Sequence, residues 1–244
     1  MRVAVLSDIH GNADALLAVL ADVRRRSPDA IVNLGDCFSG PLDIQRTHEV
    51  LSGAGVTATV RGNHDRALLD PAAMDSWDRM SALEVTAEMR DWLATLPATA
   101  VLDELFLCHA TPLNDTGYWI DAYTDDGIAR RAELAVIEAK AAGVAQKVML
   151  CGHTHVARML NLPDGRLIVN PGSIGSPGYV DDPPRGTRRV FSGSPAASYA
   201  TLDRIGGRWS AALHLVPYDT GPAIALARAK CADDWVEALA TGWL

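Results

Sequence analysis

Five of the seven histidines in this chain, at positions 10, 64, 109, 153 and 155, fall at the ends of short apolar runs, and their placement restricts the possible folds more than any other feature. The run Val148-Met149-Leu150 closes on Cys151-Gly152-His153-Thr154-His155. Read as a short buried strand, it ends where the glycine lets the backbone turn, so two imidazoles one residue apart emerge at a strand tip. Imidazole is a good ligand for first-row transition ions, but one His-x-His leaves a metal site and a polar turn equally open.

The rest of the chain repeats the pattern. Residues 2–7 read as an inner strand that opens at once into Asp8-Ile9-His10-Gly11-Asn12. Asn12 is placed to cap a helix running to about Arg26, with Ala13, Leu16, Leu20 and Val23 on one face at spacings of three and four. A second strand, 30–34, ends in Gly35-Asp36 and precedes a helix over 44–51 that Gly53 and Gly55 stop. A third, 56–60, ends in Gly62-Asn63-His64-Asp65. The hairpin 100–102 and 105–107, turning at Asp103-Glu104, delivers Cys108-His109. In open α/β sheets the carboxyl ends of the strands are where sites are built.

Other stretches read as scaffold. Met80, Leu83, Met89, Trp92, Leu93 and Leu96 form a helical core stripe over 75–96, and 128–142 reads as a helix stopped by Gly143. After His155, residues 157–160, 167–170, 188–191, 198–204 and 209–216 read as short antiparallel strands, separated by turns such as Pro163-Asp164-Gly165 and Gly206-Gly207. They are expected to supply a second sheet, and 222–239 a final Ala-rich helix. With no low-complexity linker and no repeat, residues 1–244 are expected to form a single α/β domain, two sheets packed face to face with helices outside.

Composition bounds the function. With 48% apolar and 21% charged residues over 244 positions, the chain has enough apolar sequence for a large core. No apolar run approaches the ~18 residues of a membrane span, and 1–6 is too short a signal peptide, so a cytoplasmic protein without a membrane partner is expected. The four cysteines lack the density of a disulfide framework, and Cys37, Cys108 and Cys151 read as small apolar packing beside site residues. A net charge of −8, with no basic cluster longer than Arg24-Arg25-Arg26, argues against long nucleic acid. Arg185, Arg188 and Arg189 read as solvated charges rather than a phosphate site. Tyr118, Trp119 and Tyr123 read as packing of the loop after His109, although a pocket wall stays open.

Taken together, Asp8, His10, Asp36, Asn63, His64, His109, His153 and His155 supply two carboxylates, an amide and several imidazoles. Such a mixed nitrogen and oxygen set suits Mn, Fe, Zn, Co or Ni better than Mg or Ca. It exceeds what one ion needs. Two ions ~3.5–4 Å apart that share a carboxylate use the whole set, and this arrangement clamps the entering and leaving oxygens of phosphoryl transfer.

The ordered series Asp8-x-His10, Gly35-Asp36, Gly62-Asn63-His64-Asp65, His109 and Gly152-His153-x-His155 resembles the calcineurin-like metallophosphoesterases. The turn Asn170-Pro171-Gly172-Ser173 looks like their compact bacterial phosphodiesterase branch. The resemblance implies a four-layer α/β/β/α sandwich with two mixed sheets, the metallo-dependent phosphatase fold. It implies two divalent transition-metal ions, manganese foremost and Fe, Zn, Ni or Co as alternatives. Asp8, His10 and His155 would hold one ion and Asn63, His109 and His153 the other, with Asp36 bridging. Asn63 and His64 would contact substrate. His64 would stay off the metals as a catalytic acid, and Asp65 would join the catalytic group by orienting the His64 ring.

Departures from the family narrow the reading. After Gly35-Asp36 the chain lacks the Asp-Arg-Gly of protein Ser/Thr phosphatases, and Asp65 stands where they carry Glu. The dinucleoside tetraphosphatases share those features and are disfavoured with them. The expected activity is dimetal-dependent hydrolysis of small phosphate esters, foremost diesters, by in-line attack of a metal-bound hydroxide. Alternatives are an idle binding scaffold of the same fold, as one eukaryotic retromer subunit exemplifies, or a nuclease or nucleotide phosphatase. The natural substrate and the oligomeric state are open at this level.

Overall fold

The computed structural model describes residues 1–124, 127–181 and 187–244. The chain begins β1 (Arg2–Leu6), α1 (Ala13–Arg26), β2 (Ala30–Asn33), α2 (Ile44–Ser52), β3 (Ala58–Thr59), α3 (Asn63–Ala67), α4 (Ser76–Ser81) and α5 (Ala87–Thr95). It continues β4 (Thr99–Leu102), β5 (Leu105–Cys108), β6 (Asp121–Tyr123), β7 (Ala129–Arg131), α6 (Leu134–Ala141), β8 (Val148–Leu150), β9 (Arg158–Asn161) and β10 (Leu167–Asn170). It ends β11 (Gly178–Asp181), β12 (Arg188–Phe191), β13 (Ala197–Ile205), β14 (Arg208–Val216), α7 (Gly221–Ala229) and α8 (Asp233–Thr241).

Two five-stranded mixed sheets, β14-β13-β1-β2-β3 and β4-β5-β8-β10-β9, form the middle of the molecule. Successive side chains of a strand leave opposite faces, so each central strand feeds two layers. From β1, Val3 and Val5 enter a core between the sheets with Val32, Leu34, Leu107, Leu150 and Val169. Ala4 and Leu6 face the other way, onto Leu16, Val19, Leu20 and Val23 of α1. On the far side Met149 and Ile168 pack against Ile137 of α6 and Trp119. The order is helix, sheet, sheet, helix, as expected. Full burial of each such aliphatic side chain contributes about 1.5–3 kcal/mol, which makes this double core the main source of cohesion.

Several boundaries differ from expectation. The second half of the chain does not build the second sheet alone: β13 pairs antiparallel with β1, Val5 opposite Ala200, while β4 and β5 join the other sheet. Strands β11 and β12 form a separate ribbon. The stripe over 75–96 is two helices, because the Thr86 hydroxyl accepts a hydrogen bond from the Met89 N–H and starts a new helix; Leu83, in the gap, is fully exposed rather than core. In 128–142 only residues from Leu134 are helical, since Ala129–Arg131 pair with Asp121–Tyr123. The stretch 56–60 keeps only Ala58–Thr59 as strand, and 222–239 breaks at Cys231, whose φ is +55°. No helix among the described residues is long and apolar enough to cross a membrane.

Candidate metal centre

Strands β1, β2, β5 and β8 end at one edge of the sandwich, and their following loops carry the ligand-type side chains. The loops are stitched to one another by backbone. The N–H groups of Asp8 and His10 donate to the carbonyls of Gly35 and Asp36 at 3.0 Å each, and Gly152 N–H donates to His109 O at 2.6 Å. Across the two sheets, His153 N–H reaches both oxygens of Asp8 at 3.1–3.2 Å. Asp8, His10, Asp36, His153 and His155 all have φ between +48° and +69°, a left-handed conformation that costs energy outside glycine. Five of the eight such non-glycine residues described are therefore candidate ligands, so the strain is concentrated here.

Two glycines serve close approach. A Cβ at Gly152 would lie 2.0 Å from Ser7 Oγ and 2.6 Å from Asp8 Oδ2, and one at Gly62 would lie 2.0 Å from Asp36 Oδ1. Behind the His153-Thr154-His155 turn, Asn170 Nδ2 donates to Gly152 O at 2.7 Å and to Thr154 Oγ1 at 3.0 Å. Thr154 also donates to buried Asp121, which Arg158 pairs at 2.5 Å. Ser173 donates to the Asp8 carbonyl at 2.8 Å, so the Asn170-to-Ser173 turn braces both ends of the site.

Among the described residues three groups of ligand-type atoms come together: Asp8 with His10 and His155, Asp36 with His109 and His153, and, off the strand-end ligands, His64 with Asp75 and Asp78. In the first, His155 Nε2 lies 3.1 Å from His10 Nε2 and 3.4 Å from Asp8 Oδ1. His155 Nδ1 donates to the carbonyl of Ser176 and His109 Nδ1 to that of Leu34, each at 2.8 Å. A carbonyl only accepts, so those nitrogens carry the hydrogen, and in the neutral rings the Nε2 lone pairs face carboxylate oxygens. A cation resolves that clash. In the second group Asn63 Oδ1 lies 3.0 Å from both His109 Nε2 and His153 Nδ1, again acceptor against acceptor unless the amide turns over. The donor set fits two transition-metal ions.

Asp36 stands between the first two groups. Its Oδ1 accepts the His64 N–H at 3.0 Å, while Oδ2 lies 3.1 Å from His109 Nε2 and 4.0 Å from His10 Nε2. Burial works against ionisation of this carboxyl, yet facing His109, with His64 and His10, holds it well below the ordinary value. Burial likewise opposes ionisation of Asp8, and His155 brings that carboxyl down to about 2. Burial and His155 push His10 down to about 3, and burial and His109 push His153 down to about 4. Low values keep the His10 and His153 rings neutral, the form that binds metal, whereas burial would lower His109 but Asp36 outweighs it and raises that imidazole to about 9, so an ion there would take the place of its Nε2 proton.

His64 faces a different environment. Its Nδ1 lies 2.9 Å from Asp78 Oδ1 and 3.9 Å from Asp75 Oδ2. Burial would lower this imidazole, but Asp36 and Asp78 outweigh it and raise it to about 10. The Trp77 indole stacks along the same ring at an interplanar angle of 17°. Asp65 does not orient His64. Its Oδ2 accepts from Asp36 N and Gly62 N and its Oδ1 from Cys37 N, at 2.8–3.0 Å, so it pins the Asp36 loop to the start of α3 instead. The expected contact to the ring falls to Asp78, which sequence reasoning missed. Its one signal was the Asp75-x-x-Asp78 capping box, in which each side chain accepts the other's N–H.

A cleft of about 470 Å³ opens onto this edge, lined by Asp36, Asn63, His64, His153 and His155 at its floor and by Trp77, Tyr118 and Tyr179 on its walls. Tyr118 thus lines a cleft rather than only packing its loop, Trp119 is buried core, and Tyr123 lies on β6. Arg188 lies over the Tyr123 ring at 4.6 Å rather than in solvent alone, and Arg185 is outside the described residues. His48 packs near Phe38 and Trp92, and His214 pairs with Thr201 at 2.8 Å, both apart from the ligand groups. Cys37, Cys108 and Cys151 are free and buried.

A model of the calcineurin-like phosphoesterase superfamily domain matches residues 1–190. The chain is 25% identical over 222 residues to an uncharacterized protein of Methanocaldococcus jannaschii, covering 82% of each. Among solved structures it is similar to a metallophosphoesterase from Sphaerobacter thermophilus, at 25% identity and a TM-score of 0.76 over 99% of both chains.

Proposed function

The chain belongs to the calcineurin-like phosphoesterase superfamily, and from that premise we propose that it hydrolyses small phosphate esters, diesters foremost, with two divalent transition-metal ions, manganese first among them. One observation carries the reading: two groups of ligand-type atoms, all buried but half-buried His153, converge from both sheets, and Asp36 Oδ2 lies between them. Asp8, His10 and His155 would hold one ion and Asn63, His109 and His153 the other, with Asp36 shared. Bound there, the ions would supply a nucleophile at neutral pH and offset charge on the phosphoryl oxygens.

The protein's own groups do the rest. The Asp8 and Asp36 carboxylates keep the site anionic, so that cations and then a phosphate ester are drawn to it. Asn63 and His64, at the first turn of α3, lie beside the cleft floor where the ester binds. Asp78, paired with His64 Nδ1, favours the protonated ring, which would deliver a proton to the departing alkoxide, a contribution of typically ~10²–10⁴ in rate. Asp65 fixes the backbone that aims Asp36, and Asp78 fixes the ring that carries the proton. The diester preference rests on the cleft, whose aromatic walls leave space beside the phosphoryl position for a second alcohol. Assay of bis(p-nitrophenyl) phosphate against p-nitrophenyl phosphate, with metal-stripped protein and added Mn²⁺, tests it. Faster turnover of the diester is expected, and a faster monoester would reverse the assignment.

A further inference from the structure

The walls of the cleft above the metal centre differ in character from its floor. Trp77, Tyr118 and Tyr179 present three aromatic rings to it. Tyr118 comes from the segment before β6 and Tyr179 from β11, and their hydroxyls meet in a hydrogen bond that joins the two elements. The Tyr118 ring sits 5.3 Å from His153 and the Tyr179 ring 4.9 Å from His155, which sets both at the rim of the ligand groups. Trp77 closes the opposite side, edge-on to Tyr179 at 6.1 Å.

The charge on these walls is one-sided. Among the described residues lining the cleft there is no lysine or arginine, whereas Asp75 stands at its mouth with 56% of its side chain exposed. One Asp75 oxygen caps α4 by accepting from Trp77 N and Asp78 N; the other points toward His64 at 3.9 Å. Asp75 and Asp78 both face the single imidazole of His64, so carboxyl groups outnumber basic ones on this wall. A second phosphate or a carboxylate on the substrate would find no lysine or arginine among the described lining residues.

Resting on the phosphodiesterase reading above, we propose that the cleft selects phosphodiesters in which one alcohol carries an ammonium group, the choline and ethanolamine class. Aromatic faces attract such a cation through their quadrupole, and an adjacent carboxylate adds to the attraction. The phosphoryl group goes to the metal floor, and the ammonium, two carbons beyond the ester oxygen, goes to the aromatic wall and Asp75. Nucleotide diesters, which bring a base but no cation, gain only stacking from the same rings.

The test compares three diesters with one leaving group: p-nitrophenyl phosphorylcholine, its uncharged isostere p-nitrophenyl 3,3-dimethylbutyl phosphate, and thymidine 5′-(p-nitrophenyl phosphate). The expected result is a kcat/KM for the choline ester at least about fivefold above that for the isostere, the scale of a partly desolvated cation–π contact. In Asp75→Asn, whose amide still caps α4, the ratio should fall yet stay above one, because the three rings remain. Equal values for the choline ester and the isostere in the native protein, or a preference for the thymidine ester, would overturn this inference and leave the phosphodiesterase reading standing. No turnover of any of the three with metal supplied would overturn both.

Discussion

His64 Nδ1 lies 2.9 Å from Asp78 Oδ1, and Asp78 is only 1% exposed although it comes from a helix that carries none of the metal ligands. The pair fixes which face of the imidazole reaches the cleft and favours its protonated form. Because a nitrophenolate leaves without a proton and an alkoxide does not, the two residues should matter in proportion to how poor the leaving group is. His64→Ala and Asp78→Asn are both expected to lose about 10²-fold or more on alkyl esters and much less on nitrophenyl esters, with metal content unchanged. A steady-state comparison on the two ester types checks this. Equal losses on both would mean that the pair only shapes the loop.

With Oδ2 3.1 Å from His109 Nε2 and 4.0 Å from His10 Nε2, Asp36 is the side chain whose charge would serve both ions in the proposed reading. Asp36→Asn retains the shape and the Oδ1 acceptor for His64 N–H but removes the shared negative charge. It should be the most damaging single change among the ligands, whereas His48→Ala, packed near Phe38 and Trp92, should leave turnover as it is. Elemental analysis finding two tightly held ions in the Asp36 variant would contradict the shared role.

Gly152→Ala tests the packing that holds the two sheets together at the site. The added carbon would meet Ser7 Oγ and Asp8 Oδ2 inside van der Waals contact, so either Asp8 rotates or the His153 turn retreats. Loss of metal affinity by 10-fold or more is expected, with a fall in stability of about 1–3 kcal/mol from the overpacking. Unchanged metal binding would show that the loops have more room than the structure gives them.

Much of the candidate site was legible because its ligand-type side chains sit at strand ends, where a local pattern fixes direction: β1, β2, β5 and β8 each ended within about a residue of where their apolar runs stop. The layer order followed from the same runs. What stayed hidden depends on contacts between distant segments. Nothing local marks β13 as the neighbour of β1, or Ala129–Arg131 as the partner of Asp121–Tyr123 rather than the start of a helix. Asp78 lies 14 positions from His64, and only the tertiary placement of α4 brings it to the ring that adjacent Asp65 was expected to hold. The Asp65 carboxylate is drawn away because three unpaired backbone N–H groups of two tight loops compete for it.

Far from the site, Asp22 on α1 ties the helix to the first sheet, accepting from the Tyr199 hydroxyl at 2.5 Å and from Arg26 and Arg25 at 2.8 Å each. The Tyr199 hydroxyl, followed by the two guanidinium groups and against the opposing effect of burial, holds its carboxyl well below the ordinary value. A depressed carboxyl stabilises the fold fully above the unfolded value near 4, and that contribution is lost as the pH falls through the folded value. Asp22→Asn should therefore cost about 1–3 kcal/mol at neutral pH, and the gap from the native protein should narrow as the pH drops below about 4. Urea denaturation midpoints at neutral and acid pH measure it, and a gap that does not change with pH would contradict the assignment.

The central claim, two cations in one shared site driving ester hydrolysis, is tested most directly by counting metal and turnover together. Protein stripped with a chelator is titrated with Mn²⁺ while ions bound per chain and hydrolysis of bis(p-nitrophenyl) phosphate are followed on the same samples, for the native chain and for His155→Ala and His109→Ala. The account predicts no turnover in the stripped protein, two ions per chain at full activity, and one ion with greatly reduced activity in each variant. Full turnover by the stripped protein, or with a single ion per chain, would contradict it.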